Sequence, residues 1–233
     1  MKDVDFIIPQ GSIFGILGGT GSGKSTVIQL LNRLYELRDA DGKIMVGGRN
    51  VKKISLEWLR KNVGVVLQEP FLYSRTIREN IAASVPEATL EEIREAAKIA
   101  CVDETIMNFV DGYDTVVGER GVTLSGGQRQ RIAIARMLLQ KTPVMVFDDS
   151  LSAVDSETDS RIRKALLQNR KDATIILISH RITTLMNADR IMVLNQGSIE
   201  ELGTHRELIE QQGIYRRIYD IQMSQDDRIQ VEG

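Results

Sequence analysis

Short apolar runs alternate with amphipathic stretches along the chain, and this pattern predicts an α/β fold. Four runs have the length of buried strands, at residues 12–17, 63–67, 144–147 and 174–178. After the first run, apolar side chains recur at the spacing of one helix face, at Val27, Leu30, Leu31 and Leu34. Strands that alternate with helices in this way are typical of a mostly parallel sheet with right-handed crossovers.

Two further segments complete the predicted organisation. Residues 69–137 carry helical patterns without a strong strand signal, and residues 190–202 form a strand–turn–strand unit around Asn195-Gln196-Gly197, which adds a small antiparallel part. Thr89 and Glu92 have the spacing of a helix capping box. We therefore expect one domain over residues 1–233. It has a core of residues 1–68 and 138–220, an inserted helical subdomain of residues 69–137, and a frayed polar tail of residues 221–233.

Charge and composition exclude several function classes. The chain has 30 Lys+Arg against 32 Asp+Glu and a net charge of -2, which argues against a nucleic-acid partner. A single cysteine, Cys101, excludes an intramolecular disulfide and suits a reducing compartment. No apolar run approaches the roughly 18 residues of a membrane span, and no signal peptide is visible. We expect a soluble piece that faces the cytosol.

Residues 18–26 read GGTGSGKST and fit the G-x-x-x-x-G-K-[ST] pattern of a phosphate-binding loop, with a strand before it and a helix after it. The glycines let several backbone amides point at one anion, and the helix N-terminus adds its positive end. The predicted phosphate-binding residues are Gly18, Gly19, Thr20, Gly21, Ser22, Gly23, Lys24, Ser25 and Thr26. A glycine-rich turn beside an unrelated lysine is the alternative, and the strand–helix context disfavours it.

Polar residues also follow the other predicted strands directly: Gln68, Asp148 with Asp149, and His180. Ligands of parallel α/β sheets bind at the carboxyl ends of the strands. We therefore expect these side chains and the phosphate-binding loop to lie at one edge of the sheet.

Residues 124–136 read LSGGQRQRIAIAR and resemble the signature sequence of the ATP-binding cassette (ABC) ATPases. The order of the other motifs resembles the same family: the phosphate-binding loop, Gln68, VMVFDD at 144–149, SAVD at 152–155, and His180. Residues 73–81 (YSRTIRENI) and 117–121 (VGERG) are similar to segments of the exporter branch. The resemblance runs from about Asp3 to about Asp220. It implies a P-loop NTPase core, and it makes Glu119 a candidate contact to a transmembrane domain.

The resemblance implies an ATPase that uses ATP and Mg²⁺. Lys24 and the loop amides would neutralise the phosphates. The implied metal ligands are Ser25, Gln68 and Asp148, and the implied catalytic residues are Asp149, His180 and Gln68.

In this family the signature residues bind the γ-phosphate held by a facing domain, so that two ATP molecules join two domains. The resemblance assigns this role to Ser125, Gly127 and Gln128. The helix that follows Ser125-Gly126-Gly127 gives the segment free amides for an anion. Without the resemblance, the same segment is a glycine turn capped by a serine.

Asp149 departs from the family pattern, because the family usually has Glu at this position to orient the attacking water. Asp is shorter by one C–C bond, about 1.5 Å, and a misplacement near 1 Å can cost roughly 10²-fold in rate. We expect intact ATP binding and slow hydrolysis, as in heterodimeric exporters in which the partner carries the Glu. A compensating shift of backbone or water that leaves Asp149 fully active is the alternative.

The start of the chain is a second departure. Family members stack an aromatic residue on adenine, whereas Phe6 and Phe14 fit apolar strand positions better. We expect a truncated start that lacks the first strand, the stacking residue and the membrane domain. The complete transporter would then place this domain on the cytoplasmic face of the cell membrane.

The implied partners are a transmembrane domain and a second nucleotide-binding domain, with a heterodimer favoured over a homodimer. Two other functions stay open. A soluble ABC-type ATPase of DNA repair, chromosome or translation work would usually carry a long coiled coil or tandem cassettes, and neither is visible. The other is a regulatory module that binds nucleotide without hydrolysing it, which would result if Asp149 could not act as a base at all.

Overall fold

The computed structural model describes residues 1–118, 121–150, 158, 160–162, 164–165 and 173–231, with side chains to residue 224. The strands in chain order are β1 (Ile13–Gly18), β2 (Met45–Val46), β3 (Arg49–Asn50), β4 (Val63–Val66), β5 (Val144–Asp148), β6 (Thr174–Ser179), β7 (Arg190–Asn195) and β8 (Ser198–Gly203). The helices are α1 (Lys24–Leu31), α2 (Leu56–Asn62), α3 (Ile77–Ile81), α4 (Leu90–Ile99), α5 (Asp103–Met107), α6 (Gly126–Gln140), α7 (Ile182–Leu185), α8 (His205–Glu210) and α9 (Ile214–Val231).

The chain divides into two compact units, one of Met1–Val63 with Thr174–Gly233 and one of Gly64–Ala173. In the first unit the strand order is β6-β1-β7-β8. The central strand β1 runs parallel to both neighbours, while β8 runs antiparallel to β7. All six residues of β1 are buried, which explains its uninterrupted apolar sequence. The β2–β3 pair forms a separate antiparallel sheet.

The register of the first unit brings two predicted motifs to the same edge. Leu17 of β1 pairs with Ser179 of β6. The phosphate-binding loop begins at the end of β1, and His180 directly follows β6. The prediction that these two motifs share the carboxyl edge of the sheet is therefore confirmed.

The second unit is largely helical. Helices α3 and α4 both contact α6, and the side chains between them are apolar and buried, including Ile81, Ile93, Ala97 and Ile132. The predicted capping box at Thr89 and Glu92 is present at the start of α4. Among the described residues from 69 to 137, strand-like pairing is limited to isolated bridges such as Thr76 with Val116.

A partly buried ionic group fixes the segment between α4 and α6. Arg94 donates two hydrogen bonds to the Asp103 carboxylate at 3.0 and 3.1 Å, and the Tyr113 hydroxyl donates a third at 2.7 Å. The hydrogen bonds from Arg94 lower the pKa of Asp103, although burial opposes them. Burial raises the pKa of Tyr113, so the phenol stays protonated as a donor. These three residues tie α5 and the following turn to α4.

The α/β class with a mostly parallel sheet and a small antiparallel part is confirmed. The placement of Phe6 on a strand was wrong. Phe14 lies buried in β1, but Phe6 belongs to no strand and instead stacks its ring on Phe14 with centroids 5.5 Å apart. Glu119 and residues 152–155, which the resemblance singled out, lie outside the described residues.

Helix α9 begins before the predicted polar tail of residues 221–233 and continues to Val231. Its first turn is fixed by the Glu201 carboxylate, which accepts hydrogen bonds from the amides of Ile214 and Tyr215. The Tyr215 side chain is fully buried. An ion pair at i,i+4 spacing joins Arg216 to Asp220 at 2.8 Å. These contacts anchor the first two turns of α9, which precede the predicted tail.

Candidate functional site

The loop between β1 and α1 has the close backbone packing that its glycines predict. A Cβ on Gly18 would lie 2.4 Å from the Ser22 hydroxyl and 2.7 Å from the Leu194 carbonyl, so only glycine fits there. Gly23 directly precedes α1 and has a φ of 107°, which residues with a side chain rarely adopt. The space above Gly19 and Gly21 is open, because a Cβ on either residue would meet no atom within 4 Å. The loop backbone is therefore closely packed at Gly18 and accessible to a ligand at Gly19 and Gly21.

The β7–β8 turn supports this loop from below. Gln196 and Gly197 both have positive φ, of 48° and 82°, as expected for a two-residue hairpin turn. The amide of Gly197 donates a hydrogen bond of 3.0 Å to the Ser22 carbonyl. The hairpin thus fixes the middle of the loop to the sheet.

Lys24 is held at the mouth of the loop. Its ammonium donates hydrogen bonds to the carbonyls of Gly18 at 2.6 Å and Gly19 at 2.9 Å. Ser25 and Thr26 follow in the first turn of α1, whose amides have no partners within the helix. The positive charge and the free amides therefore converge on one small volume.

These residues fit the phosphates of a nucleotide. The Ser22 hydroxyl is buried and has no hydrogen-bond partner among the described residues, and an anion seated in the loop would face donors of this kind. Thr20 and Gly21 are exposed beside it. Nothing in the loop presents a carboxylate to that volume, so the local field favours an anion.

His180 follows the buried Ser179 at the end of β6 and is exposed. The Ser179 hydroxyl accepts a hydrogen bond of 3.0 Å from the amide of Arg181, which bends the chain toward α7. The structure therefore brings His180 and the phosphate-binding loop to one edge of the first unit.

The second unit holds the remaining predicted residues. Asp148 ends β5 and is half-buried, and Asp149 follows it with a φ of 43°. Asp is one of the few residues with a side chain that tolerate this left-handed conformation. Gln68 is exposed just beyond β4. Each of these residues thus lies at the carboxyl end of its strand, as predicted.

The signature segment begins α6 with a complete capping box. The Ser125 hydroxyl accepts a hydrogen bond from the amide of Gln128 at 3.2 Å, and the Gln128 side chain accepts one from the amide of Ser125 at 2.8 Å. Gly126 and Gly127 lie between them in the first turn, where amides have no intrahelical partner. The geometry is that of an exposed helix N-terminus able to bind an anion.

The signature helix also contacts the segment that carries Gln68, through a residue that sequence reasoning missed. Gln130 is buried, and its side-chain amide donates a hydrogen bond of 3.0 Å to the Leu67 carbonyl. A glutamine on the buried face of α6 was the available signal, because a polar residue there needs a partner.

A second missed residue, Asn80, organises the turn after Gln68. It is fully buried in α3. Its carbonyl oxygen accepts hydrogen bonds from the Tyr73 amide at 2.8 Å and from Arg136 at 3.1 Å. Its amide nitrogen donates to the Tyr73 carbonyl at 2.9 Å and the Thr76 carbonyl at 3.0 Å. Arg136 of α6 also donates to the Phe71 carbonyl at 3.1 Å. Asn80 thus joins the turn to the signature helix.

We expect Asn80→Ala to destabilise the protein by about 3 kcal/mol, because it leaves several buried polar groups without partners. Chemical denaturation monitored by circular dichroism measures the change. Asn108→Ala is the matched control, since Asn108 is exposed at the end of α5, and it should have little effect. Equal stability of the two variants would contradict the structural role of Asn80.

The described residues contain no cluster of three or more His, Cys, Asp or Glu side chains that could hold a metal by themselves. A Mg²⁺ site does not need one, because this ion is usually held by one or two carboxylates together with substrate phosphates and water. Across the described part of the chain, no helix has both the length and the apolar character to cross a bilayer.

Known proteins share this arrangement. The family model described as "ABC transporter" matches residues 1–152. The chain is 48% identical over 220 residues to YknU, an ABC transporter ATP-binding protein of Bacillus subtilis, covering 94% of this chain and 37% of YknU. It is 45% identical over 222 residues to a Staphylococcus aureus protein named as a candidate multidrug export ATP-binding/permease protein, covering 95% of this chain and 38% of that protein.

A solved structure is also similar to this chain. It is a bacterial Atm1-family ABC exporter with ATP bound, and it superposes with a TM-score of 0.89 at 37% identity. The alignment covers 93% of this chain and 38% of the exporter. The chain thus spans less than two fifths of the length of the proteins it matches.

Proposed function

The chain belongs to the ABC transporter family as a nucleotide-binding domain of exporter type, and from this premise we propose that it binds and hydrolyses ATP to drive export across a membrane. ATP-binding proteins of this family are ATPases, and their domains bind ATP, generally with Mg²⁺. The observation that carries the proposal is the loop at residues 18–26. There Lys24 and the free amides of α1 lie beside the closely packed Gly18, at the same carboxyl edge of the sheet as His180.

ATP binding rests on the phosphate-binding loop. Lys24, whose ammonium the carbonyls of Gly18 and Gly19 hold over the loop, contacts the β- and γ-phosphates, while backbone amides of the loop surround the β-phosphate. Ser25, Gln68 and Asp148 would hold Mg²⁺, which when bound would supply positive charge that neutralises the phosphates. Serine, amide and carboxylate oxygens are the hard ligands this ion prefers.

Hydrolysis requires a water aligned with the γ-phosphorus. Asp149 accepts a hydrogen bond from this water and orients it, and His180 contacts the γ-phosphate. Gln68 would contact both the Mg²⁺ ion and this water. The Asp149 carboxylate is shorter than the usual glutamate, so the water sits poorly and this site turns over slowly.

The signature segment completes the ATP site of a facing domain. The amides at the start of α6 bind the γ-phosphate of the partner's ATP, with Ser125, Gly127 and Gln128 closest to it. Because the nucleotide then lies between two domains, their association depends on ATP. A heterodimer is favoured, in which this chain supplies an intact signature to a partner that carries the stronger base.

The exporter-type relatives support a transmembrane domain as the other partner. The assembled transporter places this domain on the cytoplasmic face of the membrane. The substrate is selected by the transmembrane part. The alternative is a module that binds nucleotide without hydrolysing it, which would follow if Asp149 were fully inactive. The variants Asp149→Glu and Asp149→Asn distinguish the two functions.

A pair of variants at Gly126 tests the dimer proposal. A Cβ at Gly126 meets nothing within 4 Å, so Gly126→Asp and Gly126→Asn should both fold. The negative carboxylate of Gly126→Asp would repel the γ-phosphate of the partner's ATP, whereas the neutral amide of Gly126→Asn, which has the same shape, would not. Sedimentation should show a monomer for the wild-type chain without nucleotide, and MgATP-dependent dimers when the Glu-bearing partner domain is present. We expect Gly126→Asp to weaken dimerisation about tenfold or more relative to Gly126→Asn, a difference near 1.4 kcal/mol.

Equal MgATP-dependent association of these two variants would mean that the N-terminus of α6 does not meet the phosphate. Association of the wild type that ignores nucleotide would contradict the shared-ATP interface altogether.

A further inference from the structure

The C-terminal helix reaches back to the strand end that carries His180. Gln222, in the third turn of α9, donates a hydrogen bond of 2.7 Å from its side-chain nitrogen to the His180 carbonyl. Its side-chain oxygen accepts a hydrogen bond of 2.8 Å from the Ile182 amide. One amide group thus satisfies the backbone on both sides of Arg181, at separations of 42 and 40 residues along the chain.

This bridge acts on the short connection between β6 and α7. Residues 180 and 181 are exposed and lie between the end of β6 and the start of α7. Ile182, which begins α7, has a fully buried side chain. Its amide is in the first turn of a short helix and therefore has no intrahelical partner. Gln222 supplies that partner and at the same time fixes the carbonyl of His180.

The helix that carries Gln222 is itself held firmly. Tyr215 is fully buried near its start, where its hydroxyl lies 2.7 Å from Nδ1 of His205. The Glu201 carboxylate accepts a hydrogen bond from the amide of Tyr215 at 3.2 Å. Helix α9 also contacts α7 and β8. The bridge therefore connects the His180 segment to a docked helix and not to a free tail.

We propose that Gln222 is a positioning residue for His180, so that the C-terminal helix sets the orientation of the histidine toward the γ-phosphate. The inference rests on the proposed ATPase function. An amide can make both hydrogen bonds, because it offers one donor and one acceptor at the required separation. Methionine has a similar length and makes neither, so Gln222→Met removes the bridge while keeping much of the apolar contact.

The two histidines of the chain provide a direct test without nucleotide. Side-chain NMR of the whole chain, assigned with His180→Ala, gives one set of signals for each. We expect Gln222→Met to move the His180 signals by more than their linewidth and to leave those of His205 in place, since His205 reports the docking of α9 through Tyr215. Unchanged His180 signals would overturn the proposal. Displacement of both sets would also overturn it, because the helix as a whole would have moved.

In function, we expect the loss of the Gln222 bridge to lower turnover without changing the binding of ATP. In MgATP hydrolysis, Gln222→Met should lower kcat about threefold or more, as expected for a misplaced catalytic group, with KM unchanged. Gln211→Met is the matched control, because Gln211 is exposed at the end of α8. A kcat equal to that of this control would contradict the proposal. A wild type that neither binds nor hydrolyses ATP would instead contradict the proposed function, and the NMR result would still stand.

Discussion

Lys24→Ala should weaken MgATP binding by about 10- to 100-fold. A hydrogen bond to a charged group contributes roughly 1.5–3 kcal/mol, and each 1.4 kcal/mol is about tenfold in affinity. The effect is large because the ammonium is already held over the loop by the carbonyls of Gly18 and Gly19, so little ordering is needed when phosphate binds. Titration with a fluorescent ATP analogue measures the dissociation constant.

Lys53→Ala controls for the loss of one positive charge. Lys53 is exposed in the same unit, within a 3₁₀ turn that precedes α2. It should bind ATP as the wild type does. A dissociation constant for Lys24→Ala within about threefold of the wild type would contradict the phosphate-binding role of the loop, since a lost charge-assisted contact must cost more than that.

Changing Asp149 to Glu should raise the hydrolysis rate at this site by about tenfold or more. The longer side chain would place the carboxylate beside the attacking water, and a misplacement of 1 Å can lower the rate roughly 10²-fold. ATP binding should stay the same, since the charge beside Mg²⁺ is preserved. Asp149→Asn keeps the shape but removes the base. When a Glu-bearing partner is present, this variant should lower total turnover only modestly.

The backbone at Asp149 bears on the stability of these variants. With a φ of 43°, the residue occupies the left-handed region, where Asp and Asn are enriched and most other side chains are disfavoured. Glu is less well tolerated there, so we expect Asp149→Glu to be slightly less stable than Asp149→Asn while being more active.

The parts of the fold that were predictable have short-range causes. The apolar runs became β1, β4, β5 and β6 within one or two residues, because buried parallel strands require continuous apolar sequence. The capping box at Thr89 and the positive-φ turn at Gly197 follow from local chemistry in the same way. The phosphate-binding loop was recognisable because glycines, lysine and serine at fixed spacing serve one anion.

The missed features depend on contacts distant in sequence. Gln130 and Gln222 bond to backbone groups 63 and up to 42 residues away. Asn80 bonds to the Arg136 side chain, 56 residues away, as well as to nearby backbone groups. A sequence pattern shows that such a residue is polar on a buried or half-buried face, but not which carbonyl it meets. The start of α9 is likewise held by a contact that a sequence pattern does not show, between the Glu201 carboxylate and the Tyr215 amide, and by the burial of Tyr215.

Steady-state ATP hydrolysis by the assembled transporter, with Asp149 replaced in turn by Glu and by Asn, tests the central claim most directly. The claim is that this chain is an ABC exporter domain whose own site binds ATP and hydrolyses it slowly. The expected result is a rise of about tenfold or more at this site for Asp149→Glu, as an improved base placement predicts, and a modest loss of total turnover for Asp149→Asn. Abolished turnover in Asp149→Asn together with unchanged turnover in Asp149→Glu would show that Asp149 is a fully competent base and would contradict the claim.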